Sequence, residues 1–234
     1  MRHPFLGLSA ASGVLLACGV GLWSVLGPAS SAHAQLIDSM LKAESGVFTI
    51  VSERNGAEVF RSKVFFDGPL SRKEKPGGYS IMDGRNGTQL EVATDEQKAT
   101  LMEIPFFERD RKLAPELMDK YGGGMLGSFR MLLAPANKRL WQQAKEGVSR
   151  EMLEEDTPDG RSRSGVRVTT PGMTQTLWSD PETGEPGEVV IEIDRLKGMR
   201  TVLTDIRFGV AVDPELLSSK PPEGYTVDDR TDEP

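Results

Sequence analysis

The chain has 234 residues, 28 basic against 35 acidic side chains, a formal net charge of −7, one cysteine and two histidines. Cys18, His3 and His33 all fall within the first 34 positions, so residues 35–234 contain neither Cys nor His. Over that part disulfides, thiolate nucleophiles, Ser-His-Asp or Cys-His catalysis and Cys/His zinc sites are excluded, and the acidic balance, −8, argues against nucleic acid and against charge-driven docking on an anionic membrane.

Residues 1–34 read as a secretory signal peptide. Arg2 supplies the positive start, Phe5 to Leu26 is apolar or small, and Ala32-His33-Ala34 offers an Ala-x-Ala cleavage site before Gln35. Two other outcomes stay open. The run 5–26 is long enough for an uncleaved membrane anchor, and Leu15-Leu16-Ala17-Cys18 resembles a lipobox that leaves a lipid-modified Cys18. All three export the rest of the chain to the periplasm, as one domain over 35–227 and an acidic, disordered tail over 228–234.

From Gln35 to Glu44, Leu36, Met40 and Leu41 suit a short amphipathic helix that Ser45-Gly46 ends. Val47 to Ser52 reads as a strand, Asn55-Gly56 as a tight hairpin turn, and the return strand to Phe66 puts Phe60, Val64 and Phe66 on one face. Leu70 to Lys75 is charged and reads as an exposed edge strand. Tyr79–Met82 and Thr88–Val92 flank another hairpin, and Lys98–Ile104 follows. The period then changes. Phe106 to Ala144 holds helix formers, with one short helix through Leu113, Leu117, Met118 and Tyr121. After Gly122-Gly123-Gly124 comes a second, through Met125, Leu126, Phe129, Leu132 and Leu133.

The meander resumes at Val148–Leu153. Three β-branched runs then occupy Gly165 to Asp194, separated by Pro171-Gly172 and by Asp180 to Pro186. A long strand from Met199 to Phe208 puts Val202, Ile206 and Phe208 on one side, and Pro214 to Leu217 makes a helical turn. The fold class is mainly β with α: a curved antiparallel sheet with a helical pair inserted as a lid over one face.

Chemistry is sparse. Asp180 with Glu182, and Glu154, Glu155 and Asp156 near Asp159, lie where solvated turns are expected and lack the ligand spacing of a calcium loop. No catalytic residue, metal site or cofactor is assigned. The lid helix is the suggestive feature, because Met118, Met125 and Met131 supply adaptable apolar surface; the alternative is plain core packing.

Leu177-Trp178-Ser179-Asp180-Pro181-Glu182-Thr183-Gly184-Glu185-Pro186 resembles the LolA-like lipoprotein-carrier superfamily, whose members carry a Trp-x-Asp-Pro-x-Thr-Gly-x-Pro element between two late strands. Asp159-Gly160 before Gly165-Val166-Arg167-Val168, Thr204 to Phe208, Asp213 to Leu217 and Pro221-Pro222-Glu223-Gly224-Tyr225 extend the likeness, and Gly68-Pro69 with Arg72 and Ile81-Met82-Asp83 continue it more loosely. The resemblance, to outer-membrane lipoprotein-sorting and RseB-type sensor proteins, implies a half-open β-barrel capped by helices on an apolar concave face. Position 165 is Gly where that family often has an aromatic, which enlarges or weakens that part of the core. Arg72 is the counterpart of the family's lid-securing Arg.

The resulting expectation is an exported, non-catalytic, monomeric protein that holds a lipoprotein or lipid acyl chain between sheet and lid. Phe60, Phe66, Met102, Met125, Phe129, Leu132 and Val202 form its wall, and Arg72 touches the lid. The alternative is an envelope-stress interaction module that binds a membrane anti-sigma-type partner. A carboxylate hydrolase ranks third, for want of paired acids outside turns.

Overall fold

The computed structural model describes residues 31–104, Arg130, Leu133 and 149–231. Its elements are α1 (Ser31–Lys42), β1 (Ser45–Arg54), β2 (Ala57–Asp67), β3 (Leu70–Lys75), β4 (Gly78–Asp83), β5 (Thr88–Ala93), β6 (Lys98–Glu103), β7 (Ser149–Asp156), β8 (Ser162–Thr170), β9 (Met173–Ser179), β10 (Pro186–Ile193), β11 (Met199–Phe208), a 3-10 helix (Pro214–Leu217) and β12 (Thr226–Arg230). The strands make one curved, unclosed sheet in the order β12-β6-β5-β4-β3-β2-β1-β11-β10-β9-β8-β7. Every neighbouring pair is antiparallel except β12 beside β6. The β1–β2 turn carries positive φ at both Asn55 (52°) and Gly56 (80°), the geometry that makes Asn-Gly a strong hairpin signal.

Antiparallel partners share a face, so register assigns each side chain to one side of the sheet. Ile50 faces Leu203, Leu203 faces Val189, Val189 faces Leu177, and Leu177 faces Val166. All five are buried under α1, whose Leu36, Ile37 and Met40 sit on one helical stripe. Leu133 joins this cluster, and Arg130 donates from Nη2 to the Leu41 carbonyl at 3.3 Å. This side is the helix face.

The core changes sides along the sheet. The row Phe66–Ser71–Met82–Gln89–Met102 continues the helix face across β2 to β6. The apolar partners of these strands, Ile81, Leu90, Val92 and Ala99, therefore project from the opposite face, where Tyr79, Leu101 and Tyr225 pack on them. Tyr225 belongs to the segment 209–225, which runs from β11 in mid-sheet to β12 at the edge and buries Leu217. This side is the strap face. Among the described residues, no core cluster forms on the β3–β6 part of the helix face.

Four expectations are corrected. β3 is an interior strand, paired on both sides to β2 and β4; Arg72 pairs with Glu74 and Lys75 with Glu91 there. Residues 226–230, most of which composition placed in a disordered tail, pair with β6, where Asp228 lies 2.6 Å from Arg230 and 3.6 Å from Lys98. α1 begins four residues before Gln35, and its His33 is 4% exposed with Nε2 donating to the Leu153 carbonyl at 3.0 Å.

The fourth concerns β11. Thr49 faces Thr204 but Val47 faces Arg207, so β11 gains one residue there, at Asp205 with φ 52°. This β-bulge flips the alternation. Ile206 and Phe208 lie on the helix face with Leu203, whereas Val202 faces Val51 and Val190 on the strap face.

Candidate functional site

The helix face has two zones. From β1 and β2 through β11 to β8 it is filled: Phe66 is 4% exposed, and its ring lies 6.3 Å from Phe48 and 6.2 Å, edge-on, from Phe208. Burying such a side chain contributes about 2 kcal/mol, so this zone holds the fold together. From β3 to β6 the same face carries Ser71, Lys73, Ser80, Met82, Gln89, Glu91, Thr100 and Met102, of which all but Ser71 are only partly buried. Phe60, half-buried near the start of β2, borders it.

Phe60, Phe66 and Met102 therefore share the helix face, with Phe66 in the filled zone, Met102 in the β3–β6 zone and Phe60 at its border. Val202 does not join them. Arg72 projects from the strap face: its guanidinium lies 3.6 Å from the Tyr79 ring centre, Nε donates to Glu74 at 2.7 Å, and Nη1 donates to the Leu216 carbonyl at 3.3 Å. It clasps the C-terminal strap on the side opposite α1. Met125, Phe129 and Leu132 lie outside the described residues.

Sequence reasoning passed over Lys73, Ser80, Met82 and Glu91. Their alternation with Arg72, Tyr79, Ile81 and Leu90 was the available signal, but it does not say which side of the sheet is which. Lys73 lies opposite Ser80, and Ser80 opposite Glu91. The Lys73 ammonium is 5.1 Å from the Phe60 ring centre. Burial holds its pKa below the ordinary lysine value against the pull of Glu91, and the nearby Lys75 pushes the same way as burial. Glu91 is already engaged, its two carboxylate oxygens accepting from Lys75 and from Gln89.

The Trp178 region is structural. Gly165 is opposite Trp178 on the strap face, and a Cβ at Gly165 would stand 2.4 Å from the indole. The ring thus occupies the space of the missing side chain, with Arg163 above it at 4.4 Å, so the glycine neither enlarges nor weakens the core under α1. Asp180 organises its turn, accepting from the backbone N–H of Glu182 and Thr183 at 2.9 Å each; these bonds hold its carboxyl below the ordinary aspartate range. Asp159 is held lower still by Arg161, which also reaches Glu182 and so ties two turns together. No group of three or more His, Cys, Asp or Glu among the described residues is placed to hold a metal ion, and no described helix is long and apolar enough to cross a membrane.

No protein-family model matches the sequence, and no curated protein matches it. Among solved structures the backbone is similar to MucB, in a crystal structure with MucA(peri), at 17% identity and a TM-score of 0.41 over 82% of this chain and 60% of that one. It is also similar to the LolA superfamily protein NE2245 from Nitrosomonas europaea, at 12% identity and a TM-score of 0.34, over 82% of this chain and 99% of that one. This chain thus spans about three fifths of the length of that MucB chain.

Proposed function

We propose that the chain is an exported, non-catalytic binding protein that takes an apolar, acyl-type ligand on the β3–β6 part of its helix face, along Met82 and Met102. The observation that carries the reading is the change of core side. Because β4 to β6 bury their aliphatic residues under the C-terminal strap, the other face of those strands keeps two partly buried methionines, Met82 and Met102, in one row with Gln89 between them. Methionine is unbranched and polarizable, and suits a chain of variable shape.

The ligand would gain about 0.8 kcal/mol per buried methylene. Met82→Asp places a charge in its path, at a site where the polar neighbours Ser71 and Gln89 let the sheet remain folded. The expected result is at least a tenfold loss of affinity for a fluorescent dodecanoyl probe, with an unchanged circular-dichroism spectrum. Unchanged affinity in the folded variant contradicts the reading.

A further inference from the structure

Among the described residues, the β3–β6 part of the helix face holds more cationic than anionic charge. Lys73 and Lys75 stand against Glu91, whose carboxylate is committed to Lys75 and Gln89. Among the described residues Lys73 has no hydrogen bond and no ion pair; its nearest named contact is the face of the Phe60 ring. Burial has cost this ammonium part of its water shell, and the pull of Glu91, itself shared with Lys75 and Gln89, does not make up for it; an anion arriving from outside would. The position is specific, since the overall chain is acidic, at −7, while this patch faces the other way. Ser80, directly across from Lys73, adds a hydroxyl donor, and Met82 and Met102 continue from it along β4 and β6.

We propose that Lys73, with Ser80, forms an anion-binding subsite that takes the acidic head of an amphiphile, a carboxylate or a phosphate monoester, while Met82 and Met102 take its alkyl chain. This rests on the acyl-binding reading above and narrows the ligand class from apolar to anionic and amphipathic. The mutual arrangement explains why a lysine is tolerated on a half-covered face: the bound head restores the interaction that burial removes.

The test compares three twelve-carbon probes, laurate, dodecyl phosphate and dodecanol, titrated calorimetrically into the wild-type protein and into Lys73→Met and Lys73→Arg. The expected result is that wild type binds both anions at least tenfold more tightly than dodecanol, Lys73→Met abolishes that preference, and Lys73→Arg retains it. The order of the two anions shows whether a fatty-acid carboxylate or a phosphate head is the better fit. Lys73→Met removes a partly desolvated charge, so its melting temperature at neutral pH should equal or exceed that of wild type, which separates loss of the subsite from loss of the fold. Equal affinity of wild type for all three probes, or a preference that survives Lys73→Met, overturns the subsite and leaves acyl binding standing. No binding of any probe overturns both.

Discussion

Arg72 and Lys73 are neighbours in β3 with opposite assignments. Both are basic, and the sequence of β3, Leu-Ser-Arg-Lys-Glu-Lys, has no apolar stripe to orient it. Their alternation was legible; which of the two faces the helix was not, because that depends on pairing with β2 and β4. Arg72 proves to be a strap residue, with its side chain 14% exposed between Tyr79, Glu74 and Leu216. Losing the cation–π contact and the bond to the Leu216 carbonyl should cost about 2 kcal/mol. Arg72→Ala is accordingly expected to lower the urea midpoint while leaving dodecanoyl-probe affinity within twofold. A clear loss of affinity at full folding would mean that Arg72 acts on the ligand side after all. Gly165 teaches the same lesson in reverse: its small size looked like a gap in the core, and register shows it to be the seat of the Trp178 ring on the other face.

At the scale of elements, the hairpins and most strands were readable because turn chemistry and period-2 alternation are local. Asn55-Gly56 and the runs between Gly165 and Asp194 appear where they were expected. The β11 bulge was hidden, since Asp205 is polar in a polar–apolar alternation and only the left-handed backbone reveals the extra residue. The start of α1 was hidden for another reason. The stripe of Leu36, Met40 and Leu41 is apolar, but its N-terminal extension is tied by polar contacts of His33 to the edge strand β7, at the Leu153 carbonyl and beside Glu154. A bond of that kind contributes about 1 kcal/mol, which for a domain of this size corresponds to about 2–4 °C. A chain beginning at Gln35 is therefore expected to melt that much lower than one beginning at Ser31 at the same pH. Equal melting temperatures would show that the first turn of α1 adds nothing.

For the whole molecule, the fold class was legible, a sheet with helical cover. The division of labour between its faces was not. Strands near β1 bury aliphatics under α1, strands β4 to β6 bury theirs under the strap, and the switch follows from a crossover that no local pattern encodes. The consequence is a β3–β6 stretch of the helix face without a core cluster among the described residues, and a ligand is proposed there. The most direct measurement is native mass spectrometry with lipid extraction on protein purified from an exported, detergent-free preparation. The account predicts a co-purifying mass carrying an acyl chain, displaced by added laurate and retained poorly by Met82→Asp. A protein that is folded, free of adduct and unable to take up laurate would contradict it.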